Sequence, residues 1–117
     1  MRLIFVPQYP TPMRYQEWWF TQFPIEFELA GFEVITLGKH YAERMQTRRS
    51  NPELFSPIKA AINFEMKQVE EFLNLEVQDD DIMFVADLSF PGFFMNALFH
   101  KPVKNLYAFC HATSLNH

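Results

Sequence analysis

Residues 79–92 read DDDIMFVADLSFPG, and the five at their centre, Ile82 to Ala86, decide the fold class. The run IMFVA is apolar throughout and of strand length, with the acidic turn Asp79-Asp80-Asp81 before it and Asp87 after it. A strand with no polar face is one buried on both sides, and such strands belong to parallel sheets whose crossovers are helices. Three other runs suit the same sheet. Arg2 to Val6 (RLIFV) is closed by Pro7, Phe32 to Leu37 (FEVITL) is β-branched and ends at Gly38, and Leu106 to Cys110 (LYAFC) is the fourth strand.

Helical patterns separate these runs. From Gln16 to Ala30 the positions Trp19, Phe23, Phe27 and Ala30 recur at helical spacing before Gly31, and the internal Pro24 predicts a kink. Ser56-Pro57 opens a second helix by a hydroxyl cap and a first-turn proline. On that helix Ile58, Ala61, Ile62, Val69, Phe72 and Leu73 mark the expected buried face, with Glu65, Lys67, Glu70 and Glu71 largely opposite. Ser89 to about Phe99 is a short third helix that Pro102 stops. Pro7 to Tyr15 holds three prolines and reads as a stiff loop, and Lys39 to Asn51, polar and without periodicity, reads as an exposed loop. The sequence therefore predicts an α/β, Rossmann-like three-layer domain: a four-stranded, mainly parallel sheet with helices on both faces. The chain stops seven residues after the fourth strand. That strand is expected to be an uncovered edge that invites self-association, or the chain to be the N-terminal part of a longer protein.

Composition narrows the class. The 117 residues make one domain, 1–117, and 49% apolar residues with 14 Phe exclude a disordered chain. Ten Lys and Arg against 14 Asp and Glu give a charge of -4, so nucleic acid is not an expected partner. The single cysteine, Cys110, permits no internal disulfide, and a cytoplasmic location is expected. No apolar run approaches the ~20 residues of a membrane span. The four histidines are scattered, so no metal is expected, and no cofactor either. With three glycines in all, neither G-x-G-x-x-G nor a P-loop occurs, which excludes a standard dinucleotide-binding first turn and a P-loop phosphotransferase.

In open parallel sheets ligands sit outside the carboxyl ends of the strands. Four segments qualify: Pro7 to Tyr15, Gly38 to Asn51, Asp87 to Pro91 and Cys110 to Asn116. Asp87 and His111 follow strands expected to be neighbours, and a carboxylate that orients an imidazole is a recurrent acid/base device. The plainer reading, with Asp87 capping the helix near Pro91 and His111 solvated, stays open beside it. Gln8, Tyr9, Ser89, Thr113 and Ser114 are the candidate substrate contacts. Arg48 and Arg49, in a stretch with Lys39, His40 and Arg44, suit a phosphate clamp or an ordinary solvated surface. Cys110 suits a buried, inert thiol, and Trp18, Trp19 and Phe20 suit core rather than a stacking platform.

LIFVPQYP, LAGFEVITLG from Leu29 to Gly38, DDDIMFVADLSFPG, and FCHATS from Phe109 to Ser114, in that order and spacing, resemble the N-terminal domain of a GT-B-fold glycosyltransferase of the retaining, nucleotide-sugar-dependent group. The resemblance implies two Rossmann-like domains around a cleft, with acceptor held mainly by this one and nucleotide-sugar donor mainly by a C-terminal domain outside these residues. The chain alone is then expected to be inactive. His111 would face the cleft and the transferred sugar, with Asp87 and Ser89 beside it. The same strand and helix alternation also fits a free-standing flavodoxin-like module that binds a small ligand or protein partner without catalysis.

Overall fold

The computed structural model describes residues 1–10, 15–48, 57–86, 97, 98 and 100–108. Along the chain run β1 (Arg2–Val6), α1 (Tyr15–Leu29), β2 (Glu33–Thr36), α2 (Lys39–Arg48), α3 (Pro57–Asn74), β3 (Ile82–Val85) and β4 (Asn105–Ala108). The sheet is parallel throughout, in the order β2-β1-β3-β4. The expected Rossmann-like α/β fold, with helices on both faces, is the observed one. The short helix expected from Ser89 to Phe99 lies mostly outside the described residues, although Ala97, Leu98 and His100 are helical.

β1 is central, so its pleat sorts the core into two halves. Leu3 and Phe5 point to one face, where with Ala86 they meet Trp19, Phe23 and Phe27 of α1 and Phe84 of β3. Ile4 and Val6 point to the other, where Met83, Val85, Leu37 and Phe72 of α3 fill the core. Period-two alternation in β1 and a four-residue period in α1 are all that this division requires. α1 runs through Pro24 as one continuous helix. Trp19 and Phe20 are core as expected, but Trp18 is exposed.

Two expectations are corrected. The loop expected over Lys39 to Asn51 is helix α2 as far as Arg48, the last of its residues to be described. Its apolar face is only Tyr41, Ala42 and Met45, too short a pattern to show periodicity, and tertiary packing against Ala60 and Phe64 of α3 supplies the stability that its sequence does not. On α3 the buried stripe is Ala60, Phe64, Gln68 and Phe72, each four residues apart, whereas Ile58, Ile62 and Leu73 are exposed. Sorting by hydrophobicity alone rotated the helix by about a quarter turn, because the position that completes the buried stripe carries a glutamine.

Polar side chains tie the ends of the layers. At the amino end of the sheet Arg2 grips Asp81 in a bidentate pair, Nε to Oδ1 at 3.1 Å and Nη2 to Oδ2 at 2.5 Å, and Nη2 also donates to the Glu76 carbonyl. The hydrogen bond from Arg2, with a further one from the Gln78 N–H, holds the buried Asp81 carboxyl below the usual carboxylate range, against the opposing effect of burial. Lys101 closes the carboxyl end of α3. Its ammonium donates to the Phe72 carbonyl at 2.7 Å and to that of Leu75, and lies 4.9 Å from the centre of the Phe72 ring. β4 is an edge strand, with Leu106 and Tyr107 exposed on opposite faces.

Candidate functional site

The strand order fixes where a crevice forms. From β1 the chain passes through α1 to β2 on one side, then returns by α2 and α3 to β3 on the other. Neighbouring connections diverge at the carboxyl ends of β1 and β3, which is the switch point at which α/β sheets bind ligands. Three chain exits lie along this rim. The Leu37 N–H donates to the Phe5 carbonyl at 3.0 Å and the Ala86 N–H to the Val6 carbonyl at 2.9 Å, so the pairing continues to the brink of Gly38 and Asp87.

Gln68 is the fastener of this rim. Its side chain is 3% exposed, and its Nε2 donates to the carbonyls of Pro7 at 2.8 Å and Leu37 at 3.1 Å. Both amide hydrogens are thereby used to join the exits of β1 and β2, whose carbonyls would otherwise be buried without partners. Gly38 is the necessary neighbour. Its φ of 81° is a left-handed conformation, and a Cβ there would lie 2.9 Å from Cε2 of Phe64 and 3.0 Å from Cγ of Gln68. The Gly38 carbonyl accepts the first bond of α2 from Ala42, and its N–H donates to Oε2 of Glu71 at 2.6 Å. A carboxylate from α3 thus caps the start of α2, where the helix dipole favours negative charge. An anionic ligand approaching that turn meets a carboxylate already in position.

Of the sequence-predicted residues, Gln8 and Tyr9 fall on the loop leaving β1. Gln8 is half-buried. Tyr9 is buried in a cluster with Met45, Ala60 and Phe64, its ring edge-on to Phe64 with centroids 5.6 Å apart. Pro10 is fully buried, so this loop is anchored into the interior on either side of its exit. Arg48 ends α2, one turn beyond Met45, which brings its backbone near the Tyr9 cluster rather than to the Gly38 turn. Asp87, Ser89, Arg49, His111, Thr113 and Ser114 lie outside the described residues, as does Cys110. The strands they follow are adjacent and in register, Val85 opposite Ala108.

Gln68 and Glu71 are not among the candidate site residues of the sequence, where Gly38 enters only as the end of a strand and the start of a candidate segment. The signal for Gln68 is its place at four-residue spacing in the stripe Ala60, Phe64, Gln68, Phe72. Among the described residues, two open cavities lie elsewhere. One, of about 240 Å³, is bounded by Tyr41 of α2 and by Asn63, Met66, Lys67 and Glu70 of α3; the other, of about 300 Å³, is at the amino end of the sheet beside Arg2, Glu33 and Asp80. Among the described residues no group of three His, Cys, Asp or Glu side chains is placed to hold a metal ion, and no helix is long and apolar enough to cross a membrane. No family model matches the chain, and no curated protein or solved structure matches it significantly.

Proposed function

We propose that the chain is the acceptor-side, Rossmann-like domain of a nucleotide-sugar-dependent glycosyltransferase, with the acceptor seated in the crevice between the carboxyl ends of β1 and β3. The observation that supports this most is the rim: an all-parallel sheet whose β1 and β3 exits are paired up to Ala86, immediately before Asp87. In this reading transfer breaks the bond between the sugar's anomeric carbon and the donor phosphate and joins that carbon to an acceptor oxygen. The acceptor's hydroxyl proton passes to the imidazole of His111, which Asp87 orients. Gln8, Ser89, Thr113 and Ser114 contact the acceptor through their polar atoms, Tyr9 serves by anchoring the loop that carries Gln8, and Arg48 and Arg49 are the candidates for a phosphate on the substrate. The donor itself is held by a further domain.

In the intact native protein, Asp87→Asn and His111→Ala should each reduce sugar transfer by about a hundredfold or more, the usual scale for losing a general acid/base pair. Full activity in both variants would remove the pair from the mechanism.

A second reading has an observation of its own. The order β2-β1-β3-β4 is the one shared by flavodoxin-like sheets, which bind their mononucleotide at the same switch point. Saturable binding of FMN by the 117-residue chain, measured by quenching of the flavin fluorescence, would make a free-standing binding module the better account.

A further inference from the structure

We propose that the outward side of α1 is a docking surface for a basic amphipathic helix of a protein partner, an inference independent of the sugar-transfer reading. α1 is apolar on two sides. Its inward side, Trp19, Phe23 and Phe27, is committed to Phe5 and Phe84 of the sheet. Its outward side carries Trp18, Ile25 and Leu29, which are 58%, 49% and 77% exposed. Offsets of seven and eleven residues are close to two and three turns, so these three side chains lie along one side of α1 over about 16 Å, with Gln22 between Trp18 and Ile25 and the Trp18 ring edge-on to Phe23. Of the four positions on that side, 18, 22, 25 and 29, three are large and apolar, more than a helix facing only water calls for.

The charge around the stripe says what covers it. Glu26 and Glu28 are exposed and follow Ile25 and precede Leu29, so they flank the stripe on opposite sides. α1 contains Glu17, Glu26 and Glu28 and no Lys or Arg; along the chain Arg14 precedes it and Lys39 is the next cation after it, so the end that carries Ile25 and Leu29 is the acidic one. An apolar centre with an acidic margin calls for an apolar strip bordered by Lys or Arg, and a helix laid in parallel presents this at the same repeat. A second copy of α1 would set carboxylates against carboxylates, and an anionic lipid surface would be repelled in the same way.

The test uses the 117-residue chain and two synthetic amphipathic helices of about five turns, identical in their leucine stripe, one bordered by lysines and the other by glutamates. Titration calorimetry should show saturable binding of the lysine peptide alone. Glu26→Lys with Glu28→Lys should weaken that binding by at least about tenfold, as should about 0.5 M salt. Trp18→Ser with Leu29→Ser should weaken it by at least about tenfold as well. Both glutamates are exposed, and an unchanged far-UV circular dichroism spectrum checks that the charge variant stays folded. Equal binding of the two peptides, or lysine-peptide binding untouched by either pair of substitutions, overturns the proposal. So does a dimer in sedimentation velocity that Leu29→Asp dissociates, since the occupant is then a second copy.

Discussion

The two faces of the sheet are held by different chemistry. Against α1 the contact is almost wholly aromatic: Phe5 meets Phe23, Phe27 and Phe84 at centroid distances of 5.8 to 6.1 Å, and Trp19 stacks on Phe23 at 4.6 Å. Against α3 an aliphatic core is crossed by polar ties, with Gln68 on the carbonyls of Pro7 and Leu37, Glu71 on Gly38, and Lys101 on the end of α3. Ring contacts contribute mainly burial and are met by several offset or edge-on geometries, whereas a buried amide or carboxylate needs its particular partners. The α1 face therefore supplies adhesion. The α3 face sets where the chain exits lie, and so it shapes the rim on which a ligand would sit.

Substitutions that attack one face at a time break this comparison or sharpen it. The largest effect is expected from Phe5→Ala, which empties the centre of the aromatic face and should lower stability by about 3–5 kcal/mol in urea unfolding. Gly38→Ala comes next, at about 2–4 kcal/mol, from the left-handed backbone and the crowding of Phe64 and Gln68. It should also speed hydrogen exchange at the Ala42 amide, a local loosening that Phe5→Ala does not produce selectively. Gln68→Leu keeps the volume of the side chain but leaves two carbonyls without their donor, and should cost about 1–3 kcal/mol. If Gln68→Leu were neutral, the carbonyls would have found other partners, and the polar ties would not be what sets the rim.

The smallest effect belongs to the amino end of the sheet. Because Asp81 has a lowered pKa in the folded chain, the unfolded chain takes up its proton first as pH falls. Its contribution is fully present above the ordinary carboxylate range and is lost as pH falls through that range to the lowered folded value, on the order of 1 kcal/mol in all. Urea midpoints taken from neutral to acid pH should therefore fall less steeply in Arg2→Met than in the unaltered chain. An identical slope in the two proteins would show that the pair does not govern the acid response.

Strand identity was legible because hydrophobic alternation and apolar runs are local: RLIFV, FEVITL and IMFVA each carry their own signal. α2 was not legible, since two buried side chains, Ala42 and Met45, beside a half-buried Tyr41 make no periodic pattern, and its helix rests on α3. The facing of α3 was misread for a related reason. Gln68 is buried because two distant carbonyls need its amide, and that need exists only once β1, β2 and α3 are assembled. Gly38 was legible as the end of a strand, but its close approach to Phe64 is a tertiary fact. At the candidate site the positions of the segments followed from the strand order, whereas the fastening of the rim did not.

The transferase reading stands or falls on a second domain, and the intact mass of the polypeptide as its native source makes it tests this most directly. The account predicts a mass about two to four times the 13.9 kDa of these 117 residues, room for a donor-binding domain beside this one. A native mass of 13.9 kDa would contradict it and leave a free-standing binding module in its place.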